Sequence, residues 1–192
     1  MQDLPFFVKH KFFEFLNDEE SIDNFEKWSY ETTILTDVLE KEDYLNLISV
    51  DFCRSNTKHE IVKIINKYID ASEYGLWKLK NILTDFVNIS ENSQDILFKF
   101  YELYCDGYYF LDCLGLRYGL SAIANAEPNE YGDKLSIEEQ SKAIDDLIPE
   151  AIIEAQRVLT WLETRKIEIV KRDDDDRGLF IDRRTEAEKQ PI

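Results

Sequence analysis

Along most of this chain apolar residues return every three or four positions, the period of a helix with one buried face. Residues 4–16 open the pattern with a phenylalanine-rich run in which Lys9, Lys11 and Glu14 are interspersed. Ser21 stands where it caps a helix through "IDNFEKWSY", with Ile22, Phe25 and Trp28 on one stripe. "ILTDVLEKEDYLNLIS" continues as one or two helices. Thr57 and Glu60 read as a capping box ahead of "EIVKIINKYI", and Ser72 as the cap of "EYGLWKLKNILTDFV". Asn92 or Ser93 opens the next helix, Ser136 and Glu139 form a second capping box, and Pro149 falls near the start of "EAIIEAQRVLTWLE". Only near the C-terminus does the period change. "KIEIV" alternates, "RDDDDRG" turns and "LFI" follows, which predicts a hairpin over about residues 166–182.

The segment "LYCDGYYFLDCLGLRYGL", residues 103–120, is apolar almost all round, with five aromatic side chains and three charges. From Ile96 its apolar positions step by three and four through Phe100, Leu103, Gly107, Phe110 and Leu114, so one helix from Ile96 to Leu114 is predicted in the core. Gly115 and Gly119 either end it or let a neighbour approach closely. Asp106, Asp112 and Arg117 interrupt it too often for a membrane span.

No repeat or low-complexity linker divides the 192 residues. A chain of this length buries roughly 70% of its unfolded surface, enough for one core. The expected fold is therefore mainly α: a single-domain helical bundle over residues 1–182 with a short C-terminal β-hairpin, then a flexible tail over 183–192. Nothing in "MQDLPFFVKHKFFEFL" reads as a secretory signal, so a cytoplasmic protein is expected. Cys53, Cys105 and Cys113 are accordingly read as reduced, mostly buried thiols.

Charge changes the picture most. The net charge is −17, and it is uneven. Residues 1–50 hold 12 acids and 4 bases, and residues 127–154 hold 9 acids and 2 bases, while residues 51–126 and 155–192 are close to balance. Such a field repels nucleic acid and anionic membranes and attracts basic proteins. Aromatic side chains lie inside both acidic blocks: Trp28 and Tyr30 in the first, Tyr131 in the polar stretch "NAEPNEYGDKLS" of the second. Acids around an aromatic anchor make a binding face for a basic partner. The expected partner-binding residues are Glu127, Glu130, Tyr131, Asp133, Glu138 and Glu139, together with Glu19, Glu20 and Asp23.

Candidate chemistry is sparse. "HEIVK" at His59 starts like a zinc-protease helix, but Lys63 stands where the second histidine belongs. "DDDDRG" resembles a calcium loop, yet position five is Arg177 and position twelve is Arg184, where oxygen ligands are required. There is no GxxxxGK[ST], GxGxxG or GxSxG. No cofactor, no metal and no enzymatic activity is expected.

Residues 22–52, "IDNFEKWSYETTILTDVLEKEDYLNLISVDF", resemble a pattern in small acidic bacterial immunity proteins of polymorphic and contact-dependent toxin systems. The pattern is an aromatic-Glu-x-Trp-x-Tyr cluster, a Leu-rich acidic helix and Tyr-Leu-x-Leu-Ile-Ser. The segment at 103–120, with "EAQRVLTWLETRKIEI", is similar to a second helical module of such proteins. The resemblance implies a protein that binds and neutralises a cognate antibacterial toxin, in many cases a basic nuclease. It carries no residue roles, because immunity proteins use unrelated surfaces. A helical adaptor or regulator of another basic protein is the alternative.

Overall fold

The structure, a computed structural model, describes residues 4–52, 54–89, 92–126, 136–172 and 178–190. It is mainly α, with one short two-stranded antiparallel hairpin near the C-terminus, as the periodicity predicts. The sequence pattern predicts one domain. The residues group into two compact units, Met1–Tyr74 and Gly75–Ile192, each with its own apolar cluster.

The first unit holds α1 (Phe6–Leu16), α2 (Ile22–Glu31), α3 (Leu35–Val38), α4 (Lys41–Ile48), α5 (Thr57–Ile65) and the start of α6 (Ala71–Val87). Val8, Phe12 and Phe15 from α1 meet Phe25 of α2, Leu35 of α3, Leu47 of α4 and Ile61 and Ile65 of α5. The rings of Phe15 and Phe25 lie 4.2 Å apart, and Trp28 packs its edge on Phe12 at 5.9 Å. Trp28 thus spends its area on the core, as its place on the stripe requires.

Two caps differ from expectation. Ser21 does accept the Asn24 amide. Thr57, however, is the first residue inside α5 and fully buried, and its hydroxyl donates to the Asp51 and Arg54 carbonyls at 2.7 and 2.8 Å. It ties down the preceding turn instead of capping. At α6 the cap is Asp70, whose carboxylate accepts the Ser72 and Glu73 amides at 2.8 and 3.1 Å. A carboxylate one residue before the helix outcompetes the serine inside it. The Ser72 hydroxyl, together with these two amides, holds the Asp70 carboxyl below its usual range.

The second unit holds the rest of α6, α7 (Ser93–Cys105), α8 (Leu120–Ala126), α9 (Ile137–Asp145), α10 (Ile148–Glu163), β1 (Ile167–Arg172), β2 (Gly178–Asp182) and α11 (Glu186–Lys189). The predicted continuous helix through residues 96–114 is broken. Gly107, at φ 98°, ends α7. The Tyr108 amide donates to the Leu103 carbonyl at 3.1 Å and the Gly107 amide to Tyr104 at 3.1 Å, a Schellman closure. A 3₁₀ turn at Tyr109–Leu111 and a π-helix at Cys113–Gly119 follow. The π-helix lies against α7 because two of its residues have no Cβ. One at Gly115 would fall 2.6 Å from the Tyr104 Cβ, and one at Gly119 only 2.7 Å from the Leu97 carbonyl oxygen.

The strands pair Ile167 with Asp182 and Ile169 with Phe180, and a bulge at Val170 shifts the register before Lys171 pairs with Leu179. Phe180 sits edge-on to Phe110 at 4.9 Å, which fixes the hairpin to the core. The predicted "RDDDDRG" turn centres on residues 173–177, outside the described residues. Residues 183–190, expected as part of a flexible tail, instead carry α11 and are clasped to α10. Thr185 and Glu188 form a capping box. Arg157 donates to the Glu188 carbonyl and, at 2.7 Å, to that of Gln190, and Lys166 pairs with Glu188. The guanidinium groups of Arg157 and Arg184 lie over the Trp161 ring at 4.6 and 4.5 Å.

Candidate functional site

Of the nine expected partner-binding residues, Glu127, Glu130, Tyr131 and Asp133 lie outside the described residues, as does Cys53. The others fall in different units. Glu19, Glu20 and Asp23 lie at the α1–α2 turn, and Glu138 and Glu139 in the first turn of α9. Three of these five acids have structural work. Glu20 pairs with Lys11, its side chain only 10% exposed. Glu19 accepts the Asn17 amide at 2.6 Å. Glu139 closes the capping box with Ser136, whose backbone N–H and hydroxyl hold its carboxyl below the usual range. Asp23 and Glu138 are exposed and make no hydrogen bond or ion pair to a described residue.

The first unit carries further exposed acids along α2–α4. Residues 22–48 hold seven acids and two bases. Glu31, Asp37, Glu40 and Glu42 are exposed, as are Tyr30 at 53% and Leu45 at 48% exposure. The Tyr30 hydroxyl donates to the Ile48 carbonyl at 3.1 Å, so the exposed ring is held in place across α2 and α4. Asp43, the one buried acid of this run, accepts from Lys67 at 2.6 Å and Tyr68 at 2.7 Å. The Lys67 hydrogen bond holds its carboxyl below the usual range, and burial pushes the Tyr68 phenol up to about 12. That trio ties α4 to the residues that follow α5.

In the second unit, the π-helix and α10 enclose a cleft of about 250 Å³ lined by Arg117, Tyr118, Glu150, Ile153 and Glu154. Arg117 donates to Glu150 at 3.0 Å, the Tyr118 hydroxyl approaches the same oxygen at 3.4 Å, and the Arg117 guanidinium lies 5.1 Å from the Tyr118 ring centre. Glu154 is 5% exposed. One of its oxygens accepts from Arg157 at 2.9 Å, yet burial outweighs that partner and raises its carboxyl above the usual range. Burial and the Glu154 charge push the neighbouring Cys113 thiol up to about 11, which keeps it protonated and a poor nucleophile.

Sequence reasoning missed this cleft, although one signal was present. Glu154 falls on the buried stripe of α10 with Ala151, Ala155, Val158 and Trp161, and a charge on an apolar stripe marks a buried polar site. The thiol expectation also needs correction. Cys105 is exposed and Cys113 half-buried. Residues Leu97, Phe100, Tyr101 and Tyr104 face the π-helix, which turns Cys105 away at the end of α7.

Among the described residues no group of three or more histidine, cysteine, aspartate or glutamate side chains is placed to hold a metal ion. No helix among them is long and apolar enough to cross a membrane. Compared with protein-family models, with curated proteins and with solved structures, the chain matches none.

Proposed function

We propose that this chain is an immunity protein, a non-enzymatic inhibitor that binds and neutralises a basic, nuclease-type antibacterial toxin in the cytoplasm of the cell that makes both. One observation carries the reading. The α2–α4 segment exposes Glu31, Asp37, Glu40 and Glu42 together with Tyr30 and Leu45, and it is the same segment that resembles immunity proteins. Exposed acids steer a basic partner, while a positioned tyrosine buries area at low entropic cost. The second acidic block, with Tyr131 as its anchor, is a separate candidate surface for the same partner.

The test is genetic. The reading frame beside this one is expected to encode a basic protein that stops growth when expressed alone and is harmless when this chain is expressed with it. Growth arrest that persists in the presence of this chain contradicts the proposal.

A further inference from the structure

The cleft between the π-helix and α10 contains an incomplete polar site. The Glu154 side chain is 7% exposed, and its Oε2 accepts from Arg157 Nη1 at 2.9 Å. Its Oε1 meets no donor among the described residues. A buried carboxylate has room for further donors beyond one ion pair, and Glu154 lines a cleft that opens to solvent.

The chemistry around it selects what fits. Glu150 and Glu154 put two carboxylates on the cleft, and Asp112 adds negative field at Glu154. The Arg117 guanidinium is already committed to Glu150 and the Tyr118 ring. Arg157 and Arg184 offset part of the charge at Glu154, but Arg157 is held by Glu154 itself and by the Glu188 and Gln190 carbonyls, and Arg184 by Asp182 and the Phe110 carbonyl. An anion would therefore meet two carboxylates, while the guanidinium that lines the cleft is already paired with one of them. Ile153, 52% exposed, offers an apolar wall for an alkyl stem. A cleft of about 250 Å³ is below the ~300–1,000 Å³ of most small-molecule and cofactor sites. It suits one side chain.

We propose that this cleft receives the guanidinium or ammonium head of an arginine or lysine side chain, which donates to the open oxygen of Glu154 while its stem packs on Ile153. The source of that side chain, a basic partner protein, rests on the function proposed above; the cleft does not. A bound cation would lower the Glu154 carboxyl, because an opposite charge beside it favours the ionised form.

The full-length chain is titrated by NMR with acetyl-Gly-Arg-Gly-amide, and separately with free L-arginine. Saturable shifts confined to residues 113–119 and 148–154 are expected with the peptide. Glu154→Gln should weaken binding roughly tenfold, because it replaces a charge-assisted acceptor with a neutral one. Ile153→Trp, at an exposed position that leaves the core intact, should block the cleft to a similar degree. No saturable shift in the wild type, or unchanged affinity in the folded variants, overturns the site. Tighter binding of free arginine than of the peptide overturns the side-chain source and assigns the cleft to a small cation. No partner is present in this titration, so its failure and that of the acidic-face reading are separate results.

Discussion

Gly119→Val is expected to lower the stability of the second unit by about 3 kcal/mol. The cause is backbone, not side chain. A Cβ at this position would stand 2.7 Å from the Leu97 carbonyl oxygen and 2.9 Å from the Tyr101 nitrogen, both within α7. Neither atom belongs to a flexible side chain, so the π-helix itself must move away. Helix propensity works in the opposite sense, since replacing a helical glycine usually gains up to about 1 kcal/mol. The two effects separate cleanly at Gly75. There the nearest atoms are the Tyr108 hydroxyl at 3.4 Å and the Ile169 methyl at 3.9 Å, ordinary contacts. Gly75→Ala should therefore be neutral or stabilising by up to about 1 kcal/mol. Urea unfolding of the two variants checks both signs, and equal effects would mean that the close approach is not what holds the π-helix in place.

Arg157→Ala is expected to cost about 3–5 kcal/mol at about pH 7. The loss comes less from the missing arginine than from what it leaves behind. Glu154 would keep a buried charge without its one donor, and the Glu188 and Gln190 carbonyls would lose theirs. Trp161 would lose one of its two stacked guanidinium groups. The pH dependence follows from the direction of the Glu154 shift. Its carboxyl is raised in the folded chain, mainly by burial, and removing Arg157 raises it further. A raised folded value means that the folded state holds the proton more tightly, so stability is lost as pH rises through that value and regained below it. The deficit of Arg157→Ala should therefore shrink as pH falls towards the ordinary carboxylate range. A deficit independent of pH would show that Glu154 is not the group left stranded.

Much of this fold is legible along the chain. The caps at Ser21 and Ser136, Pro149 in the first turn of α10 and the alternation at residues 166–170 all have local causes, and local causes can be read from sequence. The break at Gly107 is harder. The 3₁₀ and π segments after it also space their apolar residues three to five apart, so Phe110, Leu114 and Tyr118 continue a helical pattern that the backbone does not follow. Thr57 and Ser72 have the residue types of caps. The choice fell instead to which side chain reaches the free amides, and Asp70 reaches them at α6. Periodicity also says which face is buried, never which faces share a core, and so two apolar clusters were invisible in a pattern that reads as one. The cleft lies between these cases. Glu154 announces itself as a charge on an apolar stripe, but its Arg117 and Tyr118 neighbours come from a segment whose helix type the sequence does not reveal.

The role proposed for the exposed acids of α2–α4 is to meet a basic protein. The most direct measurement is the association rate of the full chain with the product of the neighbouring reading frame, from about 0.02 M to about 0.5 M salt. Exposed charges that steer encounter are screened over this range, so the rate should fall by roughly tenfold or more. Neutralising Glu31, Glu40 and Glu42 to glutamine should flatten that dependence while leaving thermal unfolding nearly unchanged, since all three side chains are exposed. A wild-type rate that does not change with salt would contradict the account and leave the acids as a solvated surface.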